Sequence, residues 1–123
     1  MIELRVDHFD GIAVVRTPAD IDAANATKVR DQLAARVRDH GLELIVDLGE
    51  TRFLDSAGID MLFRLHRRLA ERRATLRLVI RPNSNLARLA AIVAIPATIP
   101  VHDDVEQAVE AARRLQSDER VDR

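Results

Sequence analysis

Alternating hydrophobic and polar positions at the start of the chain predict a β-hairpin. In residues 2–7 apolar side chains alternate with charged ones, which is the period of a half-buried strand. Asp10-Gly11 is a turn sequence, and Ile12–Arg16 follows it as a second apolar run. The two strands are expected to pair antiparallel.

After the hairpin, the pattern changes to the longer period of helices, interrupted by short apolar runs. Asp22 is expected to cap a helix of about 17 residues that Gly41 ends, because a carboxylate accepts from the unpaired N–H groups of a first turn. Leu44–Val46 has no alternation, which predicts a central strand covered on both faces. The other predicted elements are a helix opening at Ser56, a strand over 76–80, a helix capped around Ser84 and ended by Pro96, an edge strand over 99–101 and a helix begun by Asp103 and Glu106.

The order of these elements, β-β-α-β-α-β-α-β-α, places the chain in the α/β class. Strands that alternate with helices pair in parallel, so we expect one mixed sheet of about five strands, with about four helices. The 123 residues suffice for one domain. We place that domain at residues 1–116 and expect residues 117–123 to form a polar, frayed tail.

The composition excludes several kinds of site. Cysteine is absent, which excludes disulfides and thiol catalysis. The four histidines are scattered without metal-ligand spacing, and the four glycines are isolated, so neither a metal site nor a phosphate-binding loop is predicted. Phe is the only aromatic residue type, and it occurs three times, which argues against base stacking with nucleic acid. No cofactor and no direct nucleic-acid partner are expected.

The location follows from what the sequence lacks. No apolar run approaches the roughly 20 residues that cross a bilayer, so no membrane insertion is expected. The first residues do not have the basic and apolar regions of a signal peptide. The sequence therefore predicts a cytoplasmic protein.

One segment, Leu54–Ile59, suggests a specific chemistry. It follows a predicted central strand and opens an amphipathic helix, so Asp55 or Ser56 is expected as the N-cap. Capping does not explain the two small residues that follow, Ala57 and Gly58, which we expect to leave the serine hydroxyl open to another protein. A phosphate at this helix start would meet free N–H groups and add about −1.5 to −2 charges. The segment therefore predicts a phosphorylation switch at Ser56.

At these residues the sequence resembles the STAS family, and within it the bacterial anti-sigma factor antagonists. The resemblance covers about residues 2–115 and is carried by three stretches. LIVDL at 44–48 with FLDSAGI at 53–59 is similar to the family's hydrophobic-D-L and D-S-x-G signature. ADID at 19–22 is similar to its G-E-hydrophobic-D, with Ala19 where Gly is usual. VHDDVEQA at 101–108 is similar to its last strand and D/S-x-x-E-A helix start.

The resemblance implies a partner-switching cycle. The unphosphorylated protein would bind an anti-sigma factor that is also a Ser/Thr kinase, and so free a sigma factor. That kinase, which holds the ATP, would phosphorylate Ser56 and release it, and a phosphatase would reset the cycle. The motif carries over Asp22, Asp55, Ser56 and Gly58 as partner-binding residues. Neighbours expected on the same surface are Asp20, Asn25, Ala57 and Met61, the last as an exposed side chain off the apolar stripe.

Two other functions stay open. A STAS-like accessory subunit of a membrane-transport or lipid-trafficking ATPase complex would dock through an arginine-rich stretch. A small enzyme would use Ser56 with His66 and Asp55, although the G-x-S-x-G elbow is missing. The arginines of that stretch are otherwise expected to form a solvated helix face and are Arg64, Arg67, Arg68, Arg72, Arg73, Arg77 and Arg81.

Two polar residues outside these motifs have expected roles. Asp47 ends the central strand and should accept hydrogen bonds from the following loop, because a buried carboxylate needs partners. Ser84 is expected as a helix cap and is the second candidate for phosphorylation.

Overall fold

The computed structural model describes residues 4–36 and 43–121, those from 116 onward by their backbone alone. The strands are β1 Arg5–Phe9, β2 Ile12–Arg16, β3 Asp20–Ile21, β4 Glu43–Asp47, β5 Phe53–Leu54, β6 Thr75–Val79 and β7 Val101–His102. The helices are α1 Ala26–Ala35, α2 Ser56–Glu71, α3 Asn85–Ile92 and α4 Val105–Val121, with a 3-10 turn at Ile95–Ala97.

Five of the strands form one mixed sheet in the order β1-β2-β4-β6-β7. β1 and β2 are the predicted antiparallel hairpin, and the other neighbouring strands pair in parallel. β4 lies at the centre, and all five of its residues are buried, as expected for an apolar run without alternation. The predicted α/β class, with a mixed sheet of five strands and four helices, is confirmed.

The two faces of the sheet are covered differently. On one face, residues such as Leu44 and Leu78 pack with Leu33 of α1, Leu65 of α2 and Leu86 of α3. The other face is packed by α4 through Ala108, Val109 and Ala112, which contact Ile12, Val14, Ile45 and Val79. Helices α1 to α3 therefore share one layer, and α4 forms a separate layer on the opposite side.

A second sheet of two short parallel strands, β3 and β5, was not predicted. Asp20 is in register with Phe53, and Ile21 with Leu54. The ladder continues past both ends of β5, because Arg52 N–H donates to the Ala19 carbonyl at 2.7 Å and Asp55 N–H donates to the Ile21 carbonyl at 3.2 Å. This pairing brings the segment before α1 beside the start of α2.

The predicted caps of two helices are wrong by a few residues. α1 begins at Ala26 with Asn25 as its N-cap residue, and Asp22 instead closes the preceding turn through its carbonyl. The predicted end at Gly41 lies outside the described residues. α4 is capped by Asp104, whose Oδ1 accepts from Gln107 N–H at 2.8 Å, and not by Asp103. α4 continues to Val121, while the boundary placed at residue 116 stays a prediction.

Two predicted polar roles are confirmed. Ser84 caps α3: its Oγ accepts from Ala87 N–H at 3.0 Å and donates to the Arg81 carbonyl at 2.6 Å. Asp47 Oδ1 accepts from Gly49 N–H at 2.8 Å in the following loop. Both side chains therefore hold turns at the carboxyl ends of parallel strands.

Arg77 is not on a solvated helix face, contrary to expectation, but lies in β6 on the α4 side of the sheet with 11% of its side chain exposed. Its Nε lies 3.4 Å from Glu43 Oε2 in the neighbouring strand β4, and its Nη1 lies 3.3 Å from His102 Nε2 in β7. Burial and the adjacent positive charge of Arg77 lower the pKa of His102, and together they outweigh the carboxylates of Asp103 and Asp104. The neutral form of the His102 imidazole is therefore favoured near pH 7.

Candidate functional site

Asp55 joins the start of α2 to the segment that precedes α1. Its backbone is extended, and its Oδ1 accepts from Gly58 N–H at 3.0 Å, which makes it the N-cap. Its Oδ2 accepts from Ala23 N–H at 3.3 Å, across 32 positions of sequence. One carboxylate thus fixes both the first turn of α2 and the neighbouring loop.

The loop of residues 20–25 is held by its own side chains. Asn25 Nδ2 donates to the Asp20 carbonyl at 2.8 Å, and Asn25 Oδ1 accepts from Asp22 N–H at 3.0 Å. Asp22 Oδ1 accepts from Ala24 N–H at 2.9 Å. The three polar residues selected from the sequence therefore shape a loop that lies beside Asp55.

Ser56 is exposed and is the first residue of α2. Its Oγ makes no hydrogen bond to any of the residues that the structure describes. The first intrahelical backbone bond is donated by Ile59 N–H to the Asp55 carbonyl at 2.9 Å, and Gly58 N–H is taken by the Asp55 side chain. Within residues 4–36 and 43–121 the N–H groups of Ser56 and Ala57 therefore have no acceptor, and they lie at the positive end of the helix dipole.

Gly58 has a packing role that the sequence did not indicate, while its expected part in partner binding stays a prediction. Gly58 is buried, and a Cβ built on it would lie 2.4 Å from Leu54 Cδ1 and 3.0 Å from the Ile21 carbonyl oxygen. The missing side chain allows α2 to pack against β3 and β5. Ala57 beside it is half-buried and keeps part of its surface accessible next to the exposed Ser56.

Met61 is buried, contrary to the expectation of an exposed side chain, with 3% of its surface accessible. The apolar stripe of α2 faces the sheet, but the helix also packs against α1. The buried sector of the helix is therefore wider than one stripe, and Met61 lies on the α1 side of it.

Two residues of the same surface were missed from the sequence. Phe53 is 53% exposed although Leu54 beside it is buried, and it pairs in register with Asp20. Asp60 is exposed one helical turn after Ser56 and forms an ion pair with Arg64, with Nε–Oδ2 at 2.5 Å. The period of two around Leu54 could have indicated that Phe53 points outward.

Four carboxylates lie on the two segments that meet at the serine, and the histidine of the same helix lies far from it. Asp20, Asp22, Asp55 and Asp60 are exposed or half-exposed, which makes this end of the surface acidic. His66 lies ten residues after Ser56 along α2, a separation of about 15 Å. The Ser/His/Asp arrangement considered from the sequence is therefore not assembled.

The described residues hold neither a metal-binding cluster nor a membrane-spanning helix. Within residues 4–36 and 43–121 there is no group of three or more His, Cys, Asp or Glu side chains that could hold a metal ion. In the same residues, no helix is long and apolar enough to cross a membrane.

Comparison with known proteins gives one family. The family model described as STAS domain matches residues 3–108. A search of curated proteins found no match to this sequence.

Solved structures with the same fold include proteins of known class. An anti-sigma factor antagonist from Mycobacterium paratuberculosis is 25% identical, with a TM-score of 0.79 over 90% of this chain and 93% of that one. The unphosphorylated form of the anti-sigma factor antagonist SpoIIAA is 14% identical, with a TM-score of 0.72 over 90% of this chain and 96% of that one. The phosphorylated form of SpoIIAA, a Bacillus cell fate determinant, is 14% identical, with a TM-score of 0.63 over 89% and 99%.

Proposed function

Because this chain belongs to the STAS domain family, we propose that it is an anti-sigma factor antagonist whose partner binding is controlled by phosphorylation of Ser56. The unphosphorylated form binds an anti-sigma factor kinase, and that kinase then releases the sigma factor it had bound. The kinase holds the ATP and transfers a phosphate to Ser56, and a phosphatase removes it. In this cycle the chain is a ligand and a substrate, and not a catalyst.

The observation that carries the proposal is the position of Ser56. It is an exposed hydroxyl at the start of a helix, beside a loop that Asp55 holds in place through Ala23 N–H. The structures of SpoIIAA in unphosphorylated and phosphorylated forms support a switch in a protein of this fold. The arrangement favours a regulated surface over a Ser/His/Asp hydrolytic site, because His66 lies about 15 Å from the serine along α2.

The surface suited to the partner is formed by two segments. One is the loop of residues 20–25, and the other is the start of α2 from Asp55 to Asp60, with Phe53 at its edge. The partner is expected to place basic groups opposite the carboxylates and to pack an apolar side chain against Phe53.

Phosphorylation would change the shape of this surface more than the sign of its charge. The phosphate adds about −1.5 to −2 charges where carboxylates already lie, together with three oxygens on a side chain that the partner packs against. The unpaired N–H groups of Ser56 and Ala57 partly compensate its charge within this chain. The added bulk and the cost of removing water from a dianion therefore weaken binding without unfolding the domain.

Calorimetry with anti-sigma factor kinases encoded in the same genome tests the proposal. Wild type and Ser56→Ala are expected to bind one of them, and Ser56→Glu to bind it at least about tenfold more weakly. Gln107→Glu is the matched control, because it adds one negative charge on exposed α4, on the other side of the sheet. Equal affinities for Ser56→Glu and Gln107→Glu would contradict the proposed role of the serine.

A further inference from the structure

The seam between α1 and α2 is an open groove that begins beside Ser56. Two depressions follow one another along it, between residues 23–35 and residues 57–72, and we name this surface the α1–α2 groove. The first depression, of about 250 Å³, includes Ala57 and Met61 in its lining. The second, of about 190 Å³, lies between Ala34 and Ala35 on one helix and two arginines on the other. From Ser56 to Arg72 the helix rises about 24 Å.

Arginines line this groove on the α2 side. Arg64, Arg68 and Arg72 are four residues apart, so they form one stripe along the helix. Arg64 is paired with Asp60, but Arg68 and Arg72 are exposed and form no ion pair within residues 4–36 and 43–121. The negative end of the helix dipole favours cations in the last turn, but it does not account for a stripe that extends two turns back.

Small side chains form part of the floor. Ala26 and Ala57 lie beside the buried Met61 in the first depression, and Ala34 lies in the second, so these positions contribute only methyl groups where another helix could approach. Arginine is the residue best suited to bind carboxylates there, because its planar group can make two parallel hydrogen bonds. A groove about 24 Å long accommodates a helix of about 16 residues.

The charges of the groove are paired at one end and unpaired at the other. Near Ser56, Asp60 is paired with Arg64, and Arg30 of the first depression is paired with Asp31 of the second. The far end keeps Arg68 and Arg72, which are exposed and form no ion pair within residues 4–36 and 43–121. A partner that fits therefore presents acidic groups at the far end. A flat anionic membrane fits less well, because it would press headgroups against the groove's own Asp60 and would not reach the alanine floor.

We propose that the α1–α2 groove docks a helical segment of a protein partner that presents carboxylates four residues apart to Arg64, Arg68 and Arg72. The segment lies along α2 from the serine to the end of the helix. Only the regulatory part of this inference, in which phosphorylation of Ser56 controls the same complex, rests on the proposed function. Docking through the arginine stripe does not require it.

An NMR titration of the full chain labelled with ¹⁵N tests the groove directly. The probe is an alanine-based helical peptide of 16 residues with Glu at three positions four residues apart. A second peptide has the same composition with the three Glu residues on different faces of the helix. Vesicles of phosphatidylcholine with phosphatidylglycerol form the third arm. The protein variants are Arg68→Gln/Arg72→Gln and, on the opposite face of the sheet, Arg113→Gln/Arg114→Gln.

The inference predicts saturable shifts confined to amides of residues 23–35 and 57–72. The patterned peptide is expected to bind about tenfold more tightly than the scrambled one. That affinity should fall about tenfold in Arg68→Gln/Arg72→Gln and stay within about twofold in Arg113→Gln/Arg114→Gln. Equal binding of the two peptides, or unchanged binding by Arg68→Gln/Arg72→Gln, overturns it. Tighter binding to vesicles through the same arginines would assign the surface to lipid and overturn it as well. The titration contains no kinase, so its failure is distinct from failure of the phosphorylation cycle.

Discussion

Asp55 can be tested as a structural link separately from any role in binding. Asp55→Ala removes the acceptor of two N–H groups, those of Gly58 at 3.0 Å and Ala23 at 3.3 Å. Loss of an N-cap costs about 1 kcal/mol. The longer, exposed bond to Ala23 is at the low end for a hydrogen bond, about 0.5 kcal/mol. We therefore expect Asp55→Ala to lower the free energy of unfolding by about 1.5 kcal/mol.

Asp55→Asn provides the matched control, because asparagine caps helices about as well as aspartate. In urea unfolding followed by circular dichroism, the free energy of unfolding of Asp55→Asn should lie within about 0.5 kcal/mol of the wild-type value, and that of Asp55→Ala about 1.5 kcal/mol below the wild-type value. For a chain of this length the loss in Asp55→Ala corresponds to about 6 °C in Tm. Equal stability of the alanine and asparagine variants would refute the assignment of Asp55 as a helix cap, because asparagine keeps one acceptor oxygen for Gly58 N–H.

Three further predictions concern packing and buried charge. Gly58→Val should lower the free energy of unfolding by about 1–3 kcal/mol in urea, because its side chain would overlap Leu54 and Ile21; unchanged stability would contradict the packing role of this glycine. Glu43→Ala should cost about 3–5 kcal/mol by leaving Arg77 buried without its carboxylate, and Glu43→Leu/Arg77→Met should recover most of that loss; equal losses in both variants would show that the ion pair itself is not responsible. The pKa of His102 in the folded state lies below its ordinary value of 6.5, so near that pH the unfolded chain binds more protons than the folded one. The contribution of His102 to the free energy of unfolding is therefore complete above pH 6.5 and is lost as the pH falls through the lowered pKa. The unfolding free energy of wild type minus that of His102→Gln should therefore fall between pH 7.5 and pH 5.5. A difference that does not change with pH would contradict this prediction.

Much of the fold could be predicted from hydrophobic periodicity. The unbroken apolar run that became β4 and the cap at Ser84 both follow local rules, and both are confirmed. The sheet formed by β3 and β5 could not be predicted, because each strand has two residues and no period can be read from two positions. Its partners are also separated by 32 positions or more in sequence, so nothing local indicates that they pair.

The errors at the site have related causes. Met61 was placed by a helical stripe facing the sheet, whereas burial also depends on α1, whose position the sequence does not give. Gly58 was interpreted as open space, whereas the contact that requires it comes from Ile21, far away in sequence. Asp22 has the residue type of a cap but serves the turn before the helix. Residue type alone therefore did not decide these roles, because burial and contacts with other segments also determine them.

The most direct test of the central claim is intact-mass analysis after incubation with ATP and the anti-sigma factor kinase that the unphosphorylated protein binds. The proposed cycle predicts that wild type gains one phosphate, that peptide mapping places it on Ser56, and that Ser56→Ala gains none. Ser84→Ala is the control at the other candidate serine and should be modified like wild type. Incorporation that persists in Ser56→Ala, or that is lost only in Ser84→Ala, would contradict the account.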